Sequence, residues 1–519
     1  MKGHLIIVLL CGSLWAVESA KMLFLAPMPA RSHFALVFRL AKELADRGHE
    51  ITFINPYPQK TPIKNYTDVS VEELVVILCF LEYLKALLNR DKVGMYENLD
   101  FIYTMGYEIA DRTFKNKNVQ KLLNSGEKFD VVIMEHFLNE ALIGLGHHFK
   151  APVILMSTVA TNCFSNYIMA NPAPSSYVPN LRSTLTKNMN FWQRLQSFGF
   201  NFIFDVSTQM MHLPRQRTVF KRYIDTDLEL DDVLYNVSLI LANSHVSIND
   251  AVPLVPSIIE IGGYHINPPK KLPDDLQNFL DNAKDGVILF SMGSNLKSKD
   301  LSEGVRNTLL KTFSKIKQQV LWKFETDLPD TPPNVKIMNW LPQQDILAHP
   351  NVRIFISHGG LLSTIETVYH GVPIIGIPVF ADQKTNIASA VNNGFAVSVP
   401  LPEITEEKLH WAINEILNNP TYRENIQQRS KVMKDRPMKP IDSAVYWIEH
   451  VIRHKGAPHL RSAGLDLKWY QREMIDVIGF LVFVALVVSL VFYITIKKTI
   501  KYICSKFKSK QVTKAKKNK

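Results

Sequence analysis

At 519 residues and 46% hydrophobic content, the chain is too long for one ordinary core and implies two or three domains. Its net charge of +11 does not indicate nucleic acid, because ten lysines and no acidic residue lie between Lys497 and Lys519 and the rest of the chain balances 49 basic against 48 acidic side chains. Of the four cysteines, only Cys79 and Cys163 lie in the body, too few for a structural zinc site or a disulfide framework; they pair with each other or remain buried thiols.

In chain order, residues 1–19 read as a signal peptide: Met1-Lys2, an apolar run from Leu5 to Val17, then small residues at a cut after Ser19. A first α/β domain is expected over 20–266. It opens with a strand, Lys21–Pro27, and a loop, Met28–Ser32. A helix follows, with Val37, Leu40, Ala41 and Leu44 on one face, closed by Gly48, and then a strand, Ile51–Ile54. Such a βαβ start predicts a parallel sheet. Phe129–Met134 and Pro152–Met156 are predicted as later buried strands. From Ser157 to Arg222 the pattern weakens and fills with aromatics and methionine, which suits an apolar cleft wall or helical core equally. A proline-rich linker is expected over 267–275, from Asn267-Pro268-Pro269 to Pro273 and beyond.

The α/β rhythm restarts over 276–434, with predicted strands Val287–Phe290, Val320–Phe324, Ile354–Ser357 and Ile374–Pro378. Two such domains in tandem imply a ligand cleft between them, since ligands bind outside the carboxyl ends of the strands. Ser443–His454 reads as a helix bearing Tyr446 and Trp447. Residues 477–496 form an uncharged apolar run; about 20 residues at ~1.5 Å rise cover roughly 30 Å, one hydrocarbon core. The lysines of 497–519 then mark a basic cytoplasmic tail, so the body is luminal in a single-pass type I topology. Lys516 and Lys517, fourth and third from the end, resemble a dilysine signal for the endoplasmic reticulum membrane, and sequons at Asn65 and Asn236 suit a luminal glycoprotein.

The densest stretch runs Trp340-Leu341-Pro342-Gln343, His358-Gly359-Gly360-Leu361-Leu362-Ser363-Thr364-Ile365-Glu366, Gly371-Val372-Pro373 and Pro378-Val379-Phe380-Ala381-Asp382-Gln383. Its chemistry fits a nucleotide sugar. Trp340 can stack on a base, and Gln343 can bond the base or ribose. His358 with Gly359-Gly360 lets backbone N–H groups and a helix N-terminus meet phosphate. Ser363 and Ser294 add hydroxyl donors, Glu366 can accept from ribose, and Asp382 and Gln383 can bind sugar hydroxyls. In order and spacing the stretch is similar to the donor signature of UDP-glycosyltransferases, and the similarity extends through Ile261-Gly262-Gly263-Tyr264-His265, Ser291-Met292-Gly293-Ser294 and Asp435-Arg436-Pro437. The variant His-Gly-Gly-Leu-Leu-Ser looks like the insect branch. Leu362 stands where many relatives carry Asn, so a side-chain contact to the donor there is lost.

The resemblance implies two Rossmann-like α/β domains facing across a cleft (GT-B type), plus one C-terminal transmembrane helix. The first domain would bind the acceptor and the second, 276–434, the UDP-sugar, with helices over 435–476 crossing back to the first domain. It makes His33 the general base and gives Glu135, just after Phe129–Met134, the role of its carboxylate partner, with Asp130 and His136 as weaker candidates. The implied chemistry is inverting, with UDP-sugar as co-substrate and neither metal nor cofactor. The expected donor is UDP-glucose, because no arginine stands inside the signature beyond Arg353; UDP-glucuronate is the alternative. Expected acceptors are small lipophilic compounds, as in detoxification, and the expected partners include a membrane but no nucleic acid; homo-oligomer formation stays open. A reading of another class is a luminal binding glycoprotein that keeps the fold without catalysis.

Overall fold

The computed structural model describes residues 19–76, 95–180, 183–294, 296–379 and 382–517. Residues 1–18 of the signal peptide and Cys79 therefore lie outside the described residues, as do Phe380 and Ala381 of the motif. The chain divides into two units, one ending at Ser462 and the other spanning Ala463–Lys519.

The first unit holds two parallel sheets. One has seven strands in the order β3-β2-β1-β4-β5-β6-β7: β1 Lys21–Leu25, β2 Glu50–Asn55, β3 Tyr66–Ser70, β4 Val131–Glu135, β5 Val153–Ser157, β6 Leu239–Ala242 and β7 Ile258–Glu260. The other has six in the order β10-β9-β8-β11-β12-β13: β8 Val287–Ser291, β9 Gln319–Lys323, β10 Val335–Met338, β11 Val352–Ser357, β12 Ile374–Gly376 and β13 Ala396–Ser398. Each order reverses once, between β1 and β4 and between β8 and β11. A doubly wound sheet opens a crevice at that reversal.

Seven helices matter below: α1 Arg31–Asp46, α2 Met95–Lys115, α3 Phe191–Ser207, α4 Leu361–His370, α5 Gln383–Asn392, α6 Pro440–Arg453 and α7 Ile475–Lys517. The central strands read as continuous apolar runs because both sheet faces are covered there. Alternate residues of β1 enter different cores: Leu23 and Leu25 pack with Val132 and Met134, while Met22 and Phe24 pack with Val131 and Ile133. In the second sheet Phe290 stacks on the fully buried Trp322 at 4.9 Å.

Gly48 follows α1 at φ +100°, the left-handed position that lets the chain turn into β2. Helix α6 sends Ala444, Val445 and Ile448 into the core around β1, and its Asp442 bonds Arg47 at 2.5 Å. Leu362, the residue that departs from the family pattern, is partly buried against that same core, so it contributes apolar contact to the first domain instead of a polar group.

In the second unit, α7 contains a stretch, Ile475–Lys510, whose most apolar window has a mean hydropathy of 3.0 and is long enough to cross a membrane. The expected span 477–496 lies inside it.

Candidate active site

The two reversal points share one cavity of about 1000 Å³, lined by residues of both sheets' carboxyl ends. At the first, the loop after β1 runs into α1 and places His33 in the helix's first turn, while Glu135 is the last residue of β4. His33 Nδ1 donates to Glu135 Oε1, with Thr158 Oγ1 3.4 Å from the same nitrogen. Phe137 meets the imidazole edge-on at 5.0 Å. With Nδ1 engaged, Nε2 is the nitrogen left for a substrate proton. Burial works against the charged ring, but the charge and hydrogen bond of Glu135, joined by the charge of Asp382, raise the His33 pKa above its ordinary value.

The weaker candidates are held elsewhere. Asp130 Oδ2 accepts from the Lys21 N–H at 2.7 Å, at the far end of the strand. His136 bonds Glu140 Oε1 at 3.1 Å, and Glu140 Oε2 is 2.6 Å from His212 Nε2, a buried trio apart from His33.

At the second reversal point, β8 leads into Ser291-Met292-Gly293-Ser294 and β11 into His358-Gly359-Gly360. The two turns share one device: Ser291 Oγ accepts the Gly293 N–H and Ser357 Oγ accepts the Gly359 N–H, both at 3.2 Å. Gly293 and Gly360 flank the His358 ring, where an added Cβ would lie 2.5 Å and 2.6 Å from ring atoms. Burial, helped by the Lys323 charge, lowers the His358 pKa to about 4, so the ring is neutral. Gly360 is the N-cap of α4 and offers no side-chain cap, so the first N–H groups of α4 face the cavity mouth without an internal acceptor. The remaining motif residues form a network on α4. Gln343 Nε2 donates to Ser363 Oγ at 3.1 Å and to Glu366 Oε2 at 2.6 Å, and Gln344 Nε2 donates to Glu366 Oε1 at 3.0 Å. Burial outweighs those two bonds and pushes the Glu366 carboxyl up to about 7.

Trp340, after β10, is 67% exposed and borders the cavity, a position available for stacking, unlike the buried Trp322. Asp382 lines the cavity just before α5, with its Oδ2 accepting from Asn386 at 2.7 Å. Burial raises its pKa, with Asn386 and the His33 charge acting in the opposite direction. Gln383 is partly committed to structure, since its Oε1 accepts the Val379 N–H at 2.9 Å. Ser294 also lines the cavity. The cavity thus gathers His33, Ser294, Trp340, Gln343, His358, Gly360, Ser363, Glu366, Asp382 and Gln383, with Glu135 behind His33.

Sequence reasoning missed several cavity residues. Lys323, at the end of β9, donates to Gly293 O at 2.7 Å and lies 5.4 Å over the Trp340 ring. Arg31 and Lys384 also line the space. Only adjacency to Gln383 marked Lys384; Lys323 and Arg31 carried no local signal. On the first-domain side one part of the wall is apolar: Ile102, Met105, Leu138, Phe164 and Phe204. Gly106 permits this packing, since a Cβ there would lie 2.2 Å from Leu138 O. Cys163 borders the wall too, its thiol pushed up to about 12 by burial, with the Asp205 charge adding to the shift. From 157 to 222, therefore, some residues form the wall, while much of α3 faces outward. Among the described residues no cluster of three or more His, Cys, Asp or Glu has metal-holding geometry.

A family model described as UDP-glucoronosyl and UDP-glucosyl transferase matches residues 20–515. The chain is 38% identical to UDP-glycosyltransferase UGT5 of Dactylopius coccus, over 94% of this chain and 93% of that protein. It is 34% identical to UDP-glucosyltransferase 2 of the same insect, over 97% and 96%, and 33% identical to UDP-glucuronosyltransferase 2C1 of Oryctolagus cuniculus, over 87% and 92%. Among solved structures, glycosyltransferase VinC in complex with DTDP superposes at a TM-score of 0.55, with 14% identity, covering 84% of this chain and all (100%) of that one. The calicheamicin glycosyltransferase CalG4 gives 0.54, with 15% identity and coverage of 84% and 100%. These two share the fold of two facing parallel-sheet domains.

Proposed function

The chain belongs to the UDP-glucuronosyl and UDP-glucosyl transferase family, and from that premise we propose that it is an inverting hexosyltransferase moving glucose from UDP-glucose to a hydroxyl of small lipophilic acceptors. The observation that carries this reading is the convergence, on one cavity, of a His33–Glu135 pair with the uncapped N-terminus of α4. In this reading residues 20–266 hold the acceptor and 276–434 the donor. His33 Nε2 takes the proton of the acceptor hydroxyl, and Glu135 stabilises the imidazolium that forms. The acceptor oxygen attacks the anomeric carbon while the bond to the UDP oxygen breaks on the opposite face, so configuration inverts. Neutral His358, Ser363, Ser294 and the α4 N–H groups meet the charge growing on the leaving phosphate. Trp340 stacks on uracil, Gln343 and Glu366 hold the ribose, and Asp382 with Gln383 holds the sugar hydroxyls.

The apolar wall around Phe164 and Phe204 supports lipophilic acceptors. The α7 stretch with its lysine-rich end supports a type I anchor in the endoplasmic reticulum membrane with the body in the lumen. On that side Asn236 is exposed and open to glycosylation, whereas Asn65 is half-buried and donates to Ala45 O at 3.3 Å.

A second donor, UDP-glucuronate, is favoured by one observation: Arg31 and Lys384 line the cavity and can meet a carboxylate. Membranes carrying the full chain, incubated with a simple phenol and either donor beside H33A, test the reading. Phenol glucoside from the wild type alone supports it. Glucuronide instead replaces the donor, and no product with either donor favours the non-catalytic binding protein.

A further inference from the structure

The cavity carries a second histidine–carboxylate pair that the transfer step leaves unused. His136 directly follows Glu135 and continues the β4 ladder, its N–H bonding Met156 O at 2.9 Å. Successive residues of an extended strand point to opposite faces. Glu135 therefore meets His33 on α1, while His136 meets Glu140, in the short 3-10 turn Glu140–Ile143. His136 Nε2 lies 3.1 Å from Glu140 Oε1, and His212 Nε2 lies 2.6 Å from Glu140 Oε2. None of the three side chains is more than 3% exposed. Burial opposes the charge on Glu140, yet the charge of His212 and the bonds from both rings hold its carboxyl well below the usual carboxylate range. An ionised carboxylate only accepts, so both bonded nitrogens donate N–H. In a neutral His136 ring that leaves Nδ1 with a lone pair.

That lone pair has no bond to any described residue. The Nδ1 of His212 is sealed from solvent; that of His136 is not, and its ring lines the cavity beside the apolar wall, with Phe164 edge-on at 6.4 Å. Apolar side chains of equal volume often match or exceed the stability of a buried ion cluster, so stability alone does not account for this one. The cluster also uses a π-helical turn, Thr208–His212, to bring His212 to the carboxylate, and such turns gather at functional sites. What the arrangement achieves is one imidazole held by its far nitrogen, with the near one turned to an acceptor wall.

We propose that His136 is an acceptor-specificity residue, whose Nδ1 accepts a hydrogen bond from a second hydroxyl of a lipophilic acceptor while the first hydroxyl lies at His33. The favoured acceptors are diols on an apolar framework, such as dihydroxy aromatics. Glu140 and His212 act through His136 as positioning residues that hold its tautomer and ring angle. A monohydroxy acceptor covers Nδ1 without pairing it, and that loss separates the two substrate classes. The inference rests on the proposed transfer to acceptor hydroxyls and names the acceptor class.

The test uses membranes carrying the full chain and compares naphthol with the dihydroxynaphthalene isomers and their monomethyl ethers. Two readouts are taken: kcat and KM for transfer from either UDP-sugar, and Kd by equilibrium dialysis with UDP, less the uptake of membranes without the chain. Expected is at least one isomer with KM and Kd about tenfold below those of naphthol. Its monomethyl ether loses that gain, having no proton to give to Nδ1. His136→Gln is the discriminating variant: its amide nitrogen takes the place of Nε2 at Glu140, but nothing replaces Nδ1. In it the diol-to-naphthol ratio of KM and of Kd collapses toward one. His136→Asn, whose amide lies at the Nδ1 position, keeps part of the ratio. A wild type that treats every isomer and its ether alike overturns the proposal, as does His136→Gln with the wild-type ratio. If no naphthol is glycosylated while the Kd ratio behaves as expected, the transferase reading fails and the His136 contact stands.

Discussion

Glu135 ends β4 with its carboxylate fully buried, and it takes the Nδ1–H of His33, whose side chain keeps 19% exposure at the cavity. The pair straddles the point where the first sheet's strand order reverses. A buried anion behind a partly accessible imidazole does two things at once. It fixes the tautomer that leaves Nε2 for the substrate, and it makes that nitrogen more basic.

The first prediction concerns pH. In the proposed mechanism His33 is the general base, which acts when neutral, so the rate falls as pH drops through the His33 pKa. Because that pKa is raised, chiefly by Glu135 against the effect of burial, the midpoint of the rising limb of kcat/KM lies above the ordinary 6.5. Glu135→Gln keeps an acceptor for Nδ1–H but removes the charge; its limb moves to lower pH and its plateau drops. His33→Ala loses about 10²–10⁴-fold and has no such limb. A Glu135→Gln limb that stays in place would show that Glu135 does not set the basicity of His33.

Glu366 gives a prediction of the opposite kind, in stability. Its carboxyl titrates near 7 in the folded protein against an ordinary 4.5. Between those values the unfolded chain has lost a proton that the folded chain keeps. Stability from this group therefore falls as pH rises from 4.5 to 7 and is flat beyond, by on the order of 3 kcal/mol. In thermal melts without nucleotide, Glu366→Gln removes that part of the pH slope. If Glu366 holds the ribose as proposed, the variant also weakens UDP binding about tenfold, because the ionised carboxylate is the stronger acceptor. A variant melting with the wild-type slope would place the titration elsewhere.

The glycines around His358 make a steric prediction. Gly360 has ordinary helical-entry angles, so Gly360→Ala is opposed only by the contact of its Cβ with His358 Nε2 at 2.6 Å. The ring must move by about 1 Å to restore ordinary contact, and misplacement on that scale costs about 10²-fold in turnover. Overpacking costs stability about 1–3 kcal/mol. Gly304→Ala is the control: its Cβ meets nothing within 4 Å, and activity is unchanged. Equal activity in both variants would remove His358 from the chemistry.

What was legible in the sequence was local. The spacing of Val37, Leu40, Ala41 and Leu44, closed by Gly48, marked α1 between two strands. The His358-Gly359-Gly360 turn and Trp340 stood out because a nucleotide site concentrates unusual residues in short loops. The edge strand β3 escaped notice because Tyr66–Ser70 is half-buried and shows no apolar run, and β13 is too short to carry a pattern. Thr158 and Lys323 were invisible for another reason: each follows or ends a strand and joins the site through pairing of strands distant in sequence, which no window along the chain contains. Helix α3 shows a third limit. Periodicity reveals that a helix has an apolar side, but only packing tells whether that side faces the core.

The last prediction concerns the donor. The sequence argument against glucuronate rested on there being no arginine within the signature beyond Arg353, and the fold lines the cavity with Arg31, Arg39, Lys42, Lys270, Lys323 and Lys384, of which Arg31 and Lys384 are the two tested. Arg31 begins α1 and lies 4.8 Å from the Tyr57 ring, and Lys384 follows Gln383 on α5. Asp382 lines the same cavity, and an ionised carboxylate there opposes a second carboxylate on the sugar while accepting from neutral hydroxyls. The balance favours glucose: kcat/KM with UDP-glucose exceeds that with UDP-glucuronate by at least about tenfold, one carboxylate repulsion at close range. Asp382→Asn narrows that ratio by cutting glucose turnover and easing the repulsion. Lys384→Ala together with Arg31→Ala removes residual glucuronate transfer and spares glucose transfer. Should the wild type prefer UDP-glucuronate and the double variant lose it, the two cations select the donor, and Asp382 does not face the sugar's acidic position.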